Sequence, residues 1–411
     1  MIEQFYEKLL KLDEKWKVKS VEQDNNNQVV TVNITAVMGT YHCPECGLLS
    51  PLHDYRDRKV RHLDSCEYQT YLSVKYPRID CVQCGTKAIA PPFAADNSRF
   101  TKAFENRIIE LCNSVPAKKV ARDMKLHWNV VYGIKNRAYK RAIEKQQLMP
   151  KIKIYNLAID EVSFKKYHDY VTVISDKNTG HVLAVHPGRD AKALTTWFTS
   201  QKNYDFTELK SISMDMAPPY IKAIREVFPE NHEELICFDR FHVSQMFIKA
   251  VDIIRRRESA QLDRFRQYNP LGGTRFEWMR NSVRTDNRQG NRRKFLEITK
   301  NDLDTSKAWR LKELASVMWD YAAEGTAKKA WNKLLWLLSH SRISELKKLF
   351  KSIKEHLYGI INAIRLRSNN ALAEARNSCI QRVKFSSCGY RNRERFCQEI
   401  MFQFGGLNLA F

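Results

Sequence analysis

Three short apolar runs between residues 154 and 245 each deliver an acid, and this constrains the fold more than any other feature of the chain. "IYNLAIDEVSF" carries Asp160 and Glu161, "LKSISMDMAPPYIKAIREVFP" reaches Asp215 before Pro218 opens a helical stretch, and "EELICFDRFHVSQMFIKAV" reaches Asp239 and His242. The first run continues into "HDYVTVISD" and, past the turn "DKNTG", into "GHVLAVHPG": three strand-like runs joined tightly, as in an antiparallel meander. The helical stretch "DAKALTTWFTSQ" separates this meander from the Asp215 strand. The order predicts an α/β fold in which neighbouring strands bring Asp160 and Asp215 to one edge of a sheet. There they can share divalent metal ions whose charge offsets their mutual repulsion. Taken singly, each could equally be a strand-end or helix-capping acid. Glu161 falls on the other strand face, and His242 reads as a polar group beside the site.

Net charge points to the partner. The 69 Lys and Arg residues against 46 Asp and Glu give +23 over 411 residues, an excess suited to a polyanion bound through phosphate contacts and counterion release. No apolar run approaches the roughly 20 residues that span a bilayer, and the N-terminus is amphipathic and charged, so a cytoplasmic protein without a membrane partner is expected. Four of the ten cysteines form "CPECG" (Cys43, Cys46) and "CVQCG" (Cys81, Cys84), the spacing of a closed tetrahedral zinc site. The remaining six show no pairing logic that would favour a disulfide framework. The segment between the two pairs alternates like a β-hairpin and is rich in cations.

After Pro91 and Pro92 the period becomes helical. Phe100, Phe104, Ile108 and Leu111 form one stripe; a short helix from Pro116, a turn at "LHW" and a longer helix follow. In the longer helix Asn129 can cap, Val131, Ile134 and Ala138 face inward, and Lys135, Arg137, Lys140 and Arg141 face outward. This is helix-turn-helix architecture with a basic reading helix; the alternative is a helical hairpin with a solvated basic face.

The strand and helix order, with acids on the first and fourth strands, resembles the ribonuclease-H-like fold. More closely, "AIDEVSF", "MDMAPPYIKAIREVFP" and "FDRFHV", behind a zinc ribbon and a helix-turn-helix, resemble the ISL3 family of bacterial insertion-sequence transposases over about residues 40 to 400. That resemblance implies a third acid on a later helix, and "SNNALAEARNSCIQRVK" supplies Ser368, Asn369, Glu374 and Asn377; Ala375 stands where the family often has Gly. It also implies an α-helical insertion between the second and third acids. Five of the eight tryptophans fall there, as expected of a helical core, and Arg255, Arg256 and Arg257 suit phosphate contacts.

The expected organisation is an N-terminal region with the zinc ribbon (1–95), a helix-turn-helix (96–148), the first part of the core (149–245), the insertion (246–360), and the last core helix with a basic tail (361–411). The resemblance implies a DNA transposase in which Asp160, Asp215 and Glu374 bind two magnesium (or manganese) ions roughly 4 Å apart, with Asp239 and His242 in support and zinc structural only. It would act on terminal inverted repeats and target DNA as a homodimer or higher homo-oligomer, with no nucleotide cofactor. A transposase-derived DNA-binding regulator without activity, or a nuclease that cuts without joining, are the other readings.

Overall fold

Every second side chain of Val29–Ala36 is buried, the period that sets Val30, Val32, Ile34 and Ala36 on one face of a strand. This strand pairs antiparallel with Trp16–Asp24 and parallel with Gln69–Cys81, whose other edge pairs antiparallel with Leu52–Arg61. Tyr6 and Leu10 pack with Trp16, Val18, Val32, Ile34, Val60, Leu72 and Val74 to form the core of this sheet. The hairpin between the cysteine pairs is thus as expected; the preceding one, which brings it into a larger sheet, was not anticipated from the sequence. Three helices follow: α1 (Lys102–Cys112), α2 (Ala117–Asp123) and α3 (Trp128–Gln147). They bury Phe104, Ile108, Val120, Val131, Ile134 and Ala138.

These elements belong to the first of two compact units, Met1–Lys145 with Leu407–Phe411; the second is Gln146–Gly406. The structure is a computed structural model and describes the chain except residues 38, 95–97, 166–168, 281–288 and 369–370, and the side chains of 289–294. Asn369 therefore lies outside the described residues.

The second unit is built on strands β1 (Asn156–Lys165), β2 (Asp169–Asp176), β3 (Val182–Pro187), β4 (Ser211–Met214) and β5 (Ile236–Phe238), in the order β3–β2–β1–β4–β5. β2 runs antiparallel to β1 and β3, whereas β1, β4 and β5 are mutually parallel. All residues of β4 and β5 are buried, as in parallel strands covered on both faces. Helices α4 (Ala191–Ser200) and α5 (Pro218–Val227) fill the connection from β3 and the crossover from β4 to β5.

Helix α6 (Arg240–Arg264) starts directly at the end of β5 and opens a helical stretch that runs to Ser344–Glu355. Trp278, Trp309 and Trp331 are buried there, and one continuous apolar core joins them to the sheet residues Leu157, Ile212 and Ile236. Trp336 instead is 59% exposed and stacks on His340. The chain returns through α7 (Leu357–Arg365), where Gly359 allows close approach: a Cβ there would lie 2.5 Å from the Phe238 ring. Asn362 Nδ2 donates to the Ile236 carbonyl at 3.0 Å, so the helical stretch leaves from and returns to the same strand, β5. α8 (Ala371–Ser386) and α9 (Arg393–Phe404) complete the unit.

Candidate functional site

Strand register sets the acids in a row. Ser213 of β4 lies opposite Ala158 of β1 on one side and Cys237 of β5 on the other. Because side chains alternate along a strand, the same face two residues later carries Asp160, Asp215 and Asp239. Each is fixed by a backbone N–H: Asp160 Oδ1 accepts from Glu161 at 2.7 Å, Asp215 Oδ1 from Ala217 at 2.8 Å, and Asp239 Oδ1 from Phe241 at 2.8 Å. Asp239 is also the N-cap of α6. Asp215 is thus a strand-end acid and Asp239 a helix cap, whereas Asp160 lies within β1 and is neither.

Burial raises the carboxyl pKa of Asp160, and the charges of Asp239 and Asp215 push the same way, against the Glu161 N–H and His242. His242 and Asp239 are thus electrostatic neighbours of Asp160. The second oxygen of Asp160 accepts from Asn377 Nδ2 at 2.7 Å. Asn377 lies one turn after Glu374 on α8, and residues three apart share a helix face. Glu374 itself is exposed and lines a cleft together with Asp239 and Ser368. Glu161 is ion-paired with Arg189 and accepts from the Tyr220 hydroxyl at 3.0 Å. Sequence reasoning noted Asn377 only as part of a pattern and missed Arg189 and Tyr220, whose partners lie far apart in the chain.

In the first unit the four sulfurs of Cys43, Cys46, Cys81 and Cys84 lie within 4.8 Å of one another, the only such ligand group among the described residues. Gly47 (φ +76°) and Gly85 (φ +74°) follow the second cysteine of each pair in the left-handed region that glycine tolerates. The Cys84 N–H, opposed by burial and helped by the Gln83 N–H, brings the Cys81 thiol down to about 6. Cys84 is pushed up to about 12, first by its hydrogen bond to Cys46 and then by burial and Cys43. Thiols so crowded cannot all ionise without a cation, and the set could coordinate a structural zinc. All ten cysteines are free thiols, without a disulfide.

The helix-turn-helix corrects several orientations. Lys135 is 6% exposed, not outward-facing. Arg137 is exposed, as expected, yet its guanidinium pairs with Glu105 of α1, which is fully buried and also accepts from Ser98; Arg141, 25% exposed, lies 3.8 Å from the same acid. Asn129 is not the cap: α3 begins at Trp128, and the Asn129 N–H donates to His127 Nδ1 at 3.3 Å. Asn129 and Lys140 are exposed. A helix period marks the facing residues of one helix but not a buried acid contributed by another.

A family model for transposases of the ISL3 type matches residues 157–400, more than half of the chain. The chain belongs to the ISL3 transposase family. Two further models agree: the zinc-finger of transposase IS204/IS1001/IS1096/IS1165 over residues 40–84, and the helix-turn-helix domain of transposase family ISL3 over residues 89–139. The chain is similar to the transposase for insertion sequence element IS1001 of Bordetella parapertussis, 27% identical over 370 residues that cover 89% of each chain. It is also similar to the transposase for insertion sequence element IS1557 of Mycobacterium tuberculosis, 24% identical over 388 residues, covering 89% of this chain and 86% of that one.

In this ISL3 transposase the triple arginine of the insertion is largely engaged within the fold. Arg255 pairs with Asp252 at 2.9 Å and is 11% exposed; Arg257 donates to both oxygens of Glu345 at 2.8 Å. Arg256, 64% exposed although 3.4 Å from Asp252, is the member of the three most open to a phosphate. Among the described residues, no helix of the transposase is long and apolar enough to cross a membrane.

Proposed function

We propose that the second unit is a ribonuclease-H-like catalytic core in which Asp160, Asp215 and Glu374 carry metal-dependent cleavage and strand transfer at the terminal inverted repeats of an insertion sequence. The observation that carries this reading is the row of acids on adjacent strands, Asp160 within β1 and Asp215 and Asp239 just past β4 and β5, with the Glu374 helix bonded to it through Asn377 and Asp160. The strand order β3–β2–β1–β4–β5, antiparallel then parallel, supports it.

The donor chemistry fits magnesium or manganese: carboxylate oxygens are the hard ligands such ions take, and like charges around a half-buried acid are relieved by a cation. When bound at Asp160, Asp215 and Glu374, such ions would supply polarisation of the phosphoryl oxygen and a water more acidic than bulk water. The protein's own part is orientation. Glu161 N–H and the Asn377 amide each take one oxygen of Asp160, which fixes its plane and leaves lone pairs for a ligand. Asp239 holds the start of α6, and His242 offsets the charge around Asp160. The ribbon and helix-turn-helix would bind the DNA ends, with zinc holding the ribbon's shape, and a homodimer or higher homo-oligomer would hold two ends together.

The test is to incubate purified protein with duplex DNA carrying the element's own ends and magnesium, then map cleaved and joined products. Both products are expected. End binding without cleavage would support a DNA-binding regulator instead, and cleavage without joining a nuclease.

A further inference from the structure

One rung below the row of acids lies a half-buried cation that the reading above does not use. Lys177 follows β2, where its backbone N–H donates to the Asn156 carbonyl at 2.9 Å. Its side chain runs inward, and Nζ donates to Ser213 Oγ at 2.7 Å and to Ser368 Oγ at 2.6 Å. The two hydroxyls are themselves 2.6 Å apart, so the three groups close a triangle. Ser213, 2% exposed, lies two residues before Asp215 on β4. Ser368 lies three residues before Ala371, where the Glu374 helix begins.

Ser368 is placed independently of Lys177. Its N–H returns to the Ala363 carbonyl at 2.9 Å while the Arg367 N–H meets Ile364 at 3.1 Å, with Arg367 at φ +46°, the pattern that ends a helix through a left-handed residue. The end of α7 therefore presents one hydroxyl to the sheet, and Lys177 joins it to the strand that delivers Asp215. An ammonium suits this position because it has several donors and can serve both hydroxyls at once. A neutral apolar side chain would take this donor from the buried Ser213 hydroxyl and the half-buried Ser368 hydroxyl, which otherwise meet each other and, for Ser368, Cys237. Burial disfavours the charge of Lys177, and the neighbouring Cys237 and Asp239 act in the opposite direction.

We propose that Lys177 is a positioning residue for the reaction, its ammonium fixing the start of the Glu374 helix against the Asp215 strand through Ser368 and Ser213. The proposal rests on the assignment of Asp160, Asp215 and Glu374 made above. An acid 159 residues beyond Asp215, on the far side of the helical insertion, needs such a tie, because misplacement by about 1 Å costs on the order of a hundredfold in rate.

Lys177→Met, Ser368→Ala and the double variant of the full chain test it by two readouts. Amide hydrogen exchange should rise about tenfold or more in the first turn of Ala371–Ser386 in each single variant, with Asn156–Lys165 unchanged. Cleavage at saturating end DNA should fall about 10- to 100-fold, with the Kd for ends within about twofold of the parent. The double variant should be no worse than either single one, because both remove the same bond. Unchanged exchange, losses that multiply in the double variant, or protection lost equally across β1 would overturn the proposal. If Lys177→Met does not fold, Ser368→Ala decides alone: full protection and full rate would overturn it. If the parent protein cleaves no end DNA, the catalytic reading fails, and the exchange measurement still decides whether Lys177 holds the helix.

Discussion

Asn377 donates its side-chain amide to Asp160 at 2.7 Å across 217 residues of chain, and this bond ties helix α8 to strand β1. It does two things at once. It occupies one oxygen of Asp160, leaving the other to the Glu161 N–H, and it fixes the rotation of α8, the helix that carries Glu374 one turn earlier.

Removing this amide should therefore cost rate rather than binding. Asn377→Ala is expected to lower cleavage of end DNA by about 10- to 100-fold, with end affinity unchanged, since it frees both the acid and the helix that carries its partner. Asp160→Asn should abolish cleavage altogether, because it keeps the shape and loses the ligand charge. A gel-shift titration beside a single-turnover cleavage assay separates the two effects. Wild-type cleavage by Asn377→Ala would remove this bond from the mechanism.

The raised pKa of Asp160 has a consequence for the metal-free protein. Burial, with Asp239 and Asp215, makes its ionised form unfavourable in the folded state. A carboxyl whose folded pKa lies above its unfolded value stabilises the fold below the unfolded value, and that contribution is lost as pH rises through the folded one. In chelator-treated protein, Asp160→Asn should accordingly melt a few degrees higher than the parent at neutral pH. The gap should narrow toward pH 4 and below, where both side chains are neutral. Thermal unfolding followed by circular dichroism at both pH values checks the sign, and a variant less stable at neutral pH would contradict it.

Much of this site was legible in the sequence because its signals are local. Apolar runs ending at Asp160, Asp215 and Asp239 gave the strands, and the cysteine spacing with a following glycine gave the ribbon. What stayed hidden depends on partners distant in the chain. The outward face expected of the helix holds for Arg137 but not for the buried Lys135, and it overlooked Glu105 on another helix as the partner of Arg137 and Arg141; the open arginines expected at 255–257 overlooked Asp252 and Glu345. Lys177 sits in what reads as an ordinary polar turn, "DKNTG", and nothing nearby marks its side chain as turned inward to Ser213 and Ser368. The first hairpin, Trp16–Asp24 with Val29–Ala36, went unread even though its second strand alternates cleanly.

For the ribbon, loss should be structural. Cys43→Ser, or treatment with a strong zinc chelator, should remove about one zinc per chain and expose residues 40–90 to limited proteolysis. End binding should weaken while the second unit keeps its helical signal. Metal analysis finding no zinc in the parent protein would defeat this expectation.

The last prediction separates cations that bind DNA from cations that hold the fold. Arg137 and Arg141 both pair with Glu105, an acid with no exposed surface, although Arg137 is itself exposed, as is Lys140 on the same helix. Stripping a buried acid of its partners leaves an uncompensated charge, which costs on the order of 3 kcal/mol. Changing both arginines to Ala should therefore lower the melting temperature markedly and weaken end binding through the damaged fold. Adding Glu105→Gln should recover part of the stability, because the unpaired charge is then gone. Lys140→Ala should leave the melting temperature unchanged and, if its ammonium meets a phosphate, reduce the slope of log affinity against log salt by about one. If the two-arginine variant instead melted like the parent and lost only salt-dependent binding, Arg137 and Arg141 would be phosphate contacts after all, and their pairing with Glu105 would be a resting arrangement that DNA displaces.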